Sequence, residues 1–130
     1  MTQRIISRIA IYLLSVIMII FGIYHFQHPH ELLVFVPSDI PIGINWVYIV
    51  GVAFILAALA FITNKWVKVA AYLLAALLIL FVLIIHVPNF RQAGDAQMRQ
   101  AAFINILKDL ALAAFALHIA GSADSHGVKY

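Results

Sequence analysis

Four separate apolar runs constrain this chain more than any other feature. Each is close to the ~20 residues an α-helix needs to cross ~30 Å of hydrocarbon at ~1.5 Å per residue. They cover residues 5–26, 44–63, 67–87 and 101–120. Inside a bilayer every backbone polar group must be satisfied within the protein, so runs of this length predict spanning helices. The rest of the composition agrees. The chain is 65% hydrophobic and 10% charged, with a mean hydropathy of +1.06. A soluble domain carries roughly 25% charged residues, so too few are present here to solvate a globule. The expected fold is all-α: one integral membrane domain over residues 1–130, an up-down-up-down four-helix bundle with the lipid bilayer as its main partner.

The first run is longer than the apolar region of a secretory signal and no small-x-small cleavage site follows it, so it is read as a retained helix. Residues 27–43 form a longer connection with Pro29, Pro37 and Pro41, which forbid one regular helix. Its apolar stretch Leu32-Leu33-Val34-Phe35-Val36 is expected to lie on the bundle or in the interface. Residues 64–66 make a tight turn, residues 88–100 a polar loop, and residues 121–130 a polar tail expected to be mobile.

Charge sets the expected orientation. With the N-terminus inside, Arg4, Arg8, Lys65, Lys68 and Lys129 lie on the cytoplasmic side, against Arg91 and Arg99 outside. This asymmetry favours both termini in the cytoplasm. Trp46 and Trp66 fall near opposite membrane surfaces, where interfacial anchors belong. The net charge of +3 and pI of about 9.5 come from these flanking residues, and no nucleic-acid footprint is present. The absence of cysteine excludes disulfides, thiol-disulfide chemistry, covalent c-type haem and thiolate-bound metal clusters.

Helix association in lipid relies on small residues and polar contacts. The fourth helix carries the stripe Ala102, Asn105, Asp109, Ala113, Ala116 and Ala120 at steps of three or four. The third offers Tyr72, Ala75, Ile79, Val82 and His86. The first offers Tyr12, Ser15, Ile19, Gly22 and Phe26 with His25 beside them, and the second Tyr48, Gly51, Ile55 and Ala58. Tyr12 and Tyr72 are expected to line the inner half of the bundle. The polar members converge on one layer toward the outer side: His25, Asn45, His86, Asn105, Lys108 and Asp109.

Asp109 stands first among these, because an isolated carboxylate inside a membrane costs several kcal/mol unless paired, protonated or hydrated. It is either a ligand, proton or quinone contact, or a polar clasp to a histidine or tyrosine on a neighbouring helix. Lys108 projects about 100° away from it and is expected to snorkel to the outer interface. His25 and His86 raise the idea of a b-type haem held by two imidazoles. Two histidines without a motif more often serve as helix-end hydrogen-bond donors. No metal-ligand spacing, phosphate loop or nucleophile elbow is present, and no catalytic residue is assigned.

Several short motifs recur in a recognisable order. Phe21-Gly22-Ile23-Tyr24-His25-Phe26 with Pro29 closes the first helix. Val36-Pro37, Pro41 and Trp46-Val47-Tyr48 with Gly51 open the second. His86-Val87-Pro88-Asn89 closes the third, and Asn105-Ile106-Leu107-Lys108-Asp109-Leu110 lies in the fourth. From Ile5 to Gly121 the chain resembles the DoxX-like family of small four-helix bacterial membrane proteins. The resemblance implies a bacterial plasma-membrane protein without catalytic activity of its own, an accessory or subunit of a quinone-linked redox or oxidative-stress complex. It leaves room for a membrane-protein partner or a second copy of the chain. The lack of cysteine argues against sulfur-relay chemistry on this chain. The alternative reading is a binding or transport protein for a small lipophilic molecule, such as a quinone or isoprenoid, in the polar layer.

Overall fold

A computed structural model describes residues 2–130. Four helices are long and apolar enough to cross a membrane: Gln3–Gln27 (α1), Ile44–Thr63 (α3), the continuous rod Val67–Gln92, and Ala96–Ser122 (α6). The rod comprises α4 (Val67–Phe81), a π-helical turn (Val82–His86) and α5 (Val87–Gln92). A short helix, α2 (Pro29–Leu33), lies in the first connection. The chain ends in two paired two-residue strands, β1 (Ala123–Asp124) and β2 (Gly127–Val128).

Two helices extend beyond the bounds expected from hydropathy, and local chemistry explains both. The fourth begins at Ala96 rather than near 101, because Asp95 caps it: its carboxylate accepts the Met98 N–H at 2.8 Å. The third runs through Pro88 to Gln92 instead of stopping at Val87. Proline lacks an N–H and its ring crowds the carbonyl four residues back. The π turn immediately before it widens the helix, and the Val87 N–H reaches the Val82 carbonyl five residues back. The expected polar loop at 88–100 is therefore mostly helical.

Close backbone packing joins α1 to α3, α3 to α4, and α4 to α6; the Lys108 side chain of α6 meets Phe21 of α1. The α1–α3 crossing depends on two glycines. A Cβ on Gly22 would lie 2.9 Å from the Gly51 carbonyl oxygen, and one on Gly51 would lie 3.1 Å from that of Gly22. Small residues let helix backbones approach this closely.

The buried faces are rotated from several of the expected stripes. In α1 the inward residues are Ile11, Leu14, Ser15, Met18 and Gly22, while Tyr12 and Phe26 lie outside. In α3 they include Val47, Val50, Gly51, Phe54 and Ala58, with Tyr48 outside. In α4 Ala75 is inward as expected, whereas Tyr72 and Ile79 face out. Large apolar and aromatic side chains dominate these interior faces, and the tyrosines turn away from them. The α6 stripe matches closely: Ala102, Asp109, Ala113, Ala116 and Ala120 are all buried. Outward faces remain apolar, as Leu13, Leu56, Leu73 and Leu83 illustrate.

The C-terminal segment, expected to be mobile, folds back on the α3–α4 turn. The Asn64 side chain donates to the Val128 carbonyl and accepts the Val128 N–H, both at 2.9 Å. Gly127, at φ +115°, packs so tightly on Asn64 that an added Cβ would lie 2.6 Å from its backbone oxygen. The Arg8 guanidinium lies 4.6 Å from the centre of the Tyr130 ring, and burial raises the Tyr130 hydroxyl above its ordinary pKa. The Asp124 carboxyl is held below its ordinary pKa by the His126 N–H first and by Lys129 second.

Two predictions follow from these contacts. Gly22→Val should lower helix-bundle stability by about 1–3 kcal/mol through overpacking. Thermal unfolding in mild detergent against an Ile23→Val control on the exposed face checks this. The hairpin turn should loosen at acid pH. A depressed carboxylate stabilises the fold above its unfolded pKa and loses that contribution as pH falls through the folded value. Acid should therefore shift the Val128 amide NMR resonance toward its position in Asn64→Ala, and the Asp124→Asn variant should not repeat the titration.

Candidate functional site

A cavity of about 330 Å³ lies within the four-helix bundle, toward the end opposite the termini. Its floor and walls are apolar: Met18 and Phe21 from α1, Val50 and Phe54 from α3, Leu78 and Phe81 from α4, and Leu112 from α6. Aromatic contacts hold this wall in place. Phe54 packs against Phe81 with centroids 6.2 Å apart, and Trp46 meets Phe81 edge-on at 6.2 Å. Leu32, Phe35 and Val36 of the first connection cover the cavity from above. Asn89 pins that cover by donating its side-chain N–H to the Phe35 carbonyl at 2.7 Å. Ile20 and Tyr24 line the cavity yet lie on the exterior of α1, so it opens sideways at the flank of the bundle.

The polar lining consists of His25, His86, Asn105, Lys108 and Asp109, together with Trp46 and Tyr24. His86 Nε2 and Asp109 Oδ2 are 2.9 Å apart, and their side chains are 12% and 7% exposed. The pair joins the π turn to α6 and has the geometry of the polar clasp considered for Asp109. With Asp109 as a carboxylate, which can only accept, the hydrogen of this bond is on His86 Nε2. His86 Nδ1 and the Trp46 indole N–H are buried with no partner among the described residues. His25 Nδ1 lies 2.6 Å from the Phe21 carbonyl, which can only accept. The hydrogen is therefore on Nδ1, leaving Nε2 as the acceptor in the neutral ring. The His25 ring meets Phe54 edge-on at 5.3 Å.

The Lys108 side chain is exposed and leans one turn toward the start of α6, the direction expected of a snorkelling lysine. Its Nζ lies 3.4 Å from Asn105 Oδ1 and 5.3 Å from the centre of the Phe21 ring, so it bridges α6 toward α1. Because α6 starts at Ala96 and ends at Ser122, Asp109 is its central residue.

Of the six residues singled out in the sequence, five line the cavity and one does not. Asn45 is exposed and outside it. Its neighbour Trp46 turns inward instead, because one step along a helix rotates a side chain by about 100°. Trp46, assigned in the sequence to an interfacial anchor, is therefore part of the cavity wall, whereas Trp66 is 79% exposed. The aromatic wall of Phe21, Phe54 and Phe81 was not singled out. The spacing of Phe54 and Phe81 is that of ordinary core residues, and nothing in the chain marks them as lining a void. Among the described residues no group of three or more His, Asp or Glu could hold a metal ion.

The His86–Asp109 bond yields a stability prediction. Removing one partner of a buried pair leaves an uncompensated polar group and costs about 3–5 kcal/mol, whereas replacing both can be nearly neutral. His86→Leu and Asp109→Leu should each destabilise the bundle, and the double variant should recover much of the loss. Unfolding of all three in detergent measures the coupling.

No curated protein and no solved structure matches the chain. The family model for a domain of unknown function, DUF8561, matches residues 14–120, a span that contains every cavity-lining residue and stops short of the C-terminal hairpin. The chain belongs to this DUF8561 family.

Proposed function

We propose that this chain is a multi-pass membrane protein that binds a small lipophilic molecule bearing a polar head. The observation that carries the reading is the cavity itself. Its volume of about 330 Å³ is at the small end of ligand sites, which span ~300–1,000 Å³ and pair an apolar lining with a few placed polar groups. The polar groups converge from all four long helices on one void, while the outward faces are apolar. A sideways opening suits a ligand that partitions from lipid.

The Lys/Arg asymmetry supports placing both termini in the cytoplasm, with the cavity in the outer half of the membrane. The DoxX-like resemblance supports a bacterial plasma membrane, and a quinone is one molecule of the proposed type. The same resemblance is what supports the accessory-subunit reading. The cavity favours binding, since a purely scaffolding subunit has no need of one.

Protein purified in lipid nanodiscs should release a low-mass apolar compound on denaturation, detected by mass spectrometry. Val50→Trp, which fills the cavity, should abolish that release in a protein that still folds. Absence of any compound from wild type, or equal retention by Val50→Trp, would sink the proposal.

A further inference from the structure

Two cavity-lining residues belong to formally charged types, and they are not equivalent. Asp109 is engaged by His86 at 2.9 Å. Lys108, about 100° round the helix, has no carboxylate within 4.0 Å among the described residues. Its ammonium has only the Asn105 oxygen at 3.4 Å and the face of Phe21 at 5.3 Å. Lys108 is also close to the middle of α6. At ~1.5 Å per residue it lies about 10 Å inside the apolar run that begins at residue 101, and its side chain is exposed at the edge of the cavity. An ammonium at the edge of an apolar cavity without an anion is only weakly compensated by an aromatic face.

We infer that the cavity takes a single-chain carboxylate amphiphile, its head on Lys108 and its tail among Met18, Val50, Leu78 and Leu112. This rests on the cavity being a ligand site and specifies the ligand's charge and shape. The Asn105 amide has its oxygen turned to Lys108, which leaves its N–H groups beside the ammonium to donate to the same carboxylate. One unmatched cation favours a monoanion over a phosphate dianion. The limited volume favours one chain over the two of a phospholipid. The seam between α1 and α6, where Lys108 lies, admits the chain sideways from lipid.

The test uses the full chain in zwitterionic nanodiscs, titrated with lauric acid, lauryl alcohol, laurylamine and dodecyl phosphate. Binding is read by native mass spectrometry. Lauric acid should bind about tenfold or more tightly than the alcohol, the increment of a charge-assisted contact. Lys108→Met should bring those two affinities together, and Lys108→Arg should keep them apart. Equal binding of acid and alcohol by wild type, preference for the amine or the phosphate, or a preference that survives Lys108→Met would overturn the inference. Tight binding of the alcohol alone would leave the cavity reading standing without the carboxylate. If none of the four probes binds, the cavity reading falls as well.

Discussion

A carboxylate at the centre of an apolar helix must find its partner inside the bundle, and much of this molecule is arranged around that requirement. Asp109 meets His86 at 2.9 Å. The bond fixes the register of α6 against the third rod and holds the π turn on the inner side. The π turn that widens the helix ahead of Pro88 contains His86, so the break in regular geometry and the polar contact occur at one place. Neither group could be turned outward, because the faces on that side carry Leu83, Ile104 and Leu110.

Packing then divides the bundle unequally. Gly22 and Gly51 bring α1 and α3 into backbone contact, and small residues on α6 do the same against α4. With those contacts close, the space left over collects between α1 and α6 and beneath the first connection. Large aromatic residues hold this void open rather than filling it: Phe54, Phe81 and Trp46 brace one another edge-on. The cover formed by Leu32, Phe35 and Val36 is tied down by Asn89. It enters α3 through two left-handed residues, Ile42 at φ +69° and Gly43 at φ +52°. For a β-branched residue such as Ile42 that conformation is strained.

At the opposite end the hairpin performs a separate task. Asn64 closes α3 in the left-handed conformation and uses its amide to hold Val128. One residue thus ends a helix and anchors the C-terminal segment. The contact lies outside the span matched by the DUF8561 model at its Val128 end and inside it at Asn64.

The four helices were legible because hydropathy over twenty residues is a local property, and so was the small-residue stripe of α6. Five of six polar candidates were legible for the same reason: polar side chains in apolar helices have few places to go. Asn45 and the outward tyrosines escaped, since helical phase near a loop depends on where the helix starts, and apolar composition alone does not reveal a cap such as Asp95. The sequence by itself determined how many apolar helices form and that Asp109 needs a partner. Only the tertiary structure decided that the partner is His86, that Lys108 reaches toward Phe21, and that a void lies between them. Those outcomes depend on rotations of a few tens of degrees and on which side chains fail to fill space, and both belong to the packed assembly rather than to any one segment.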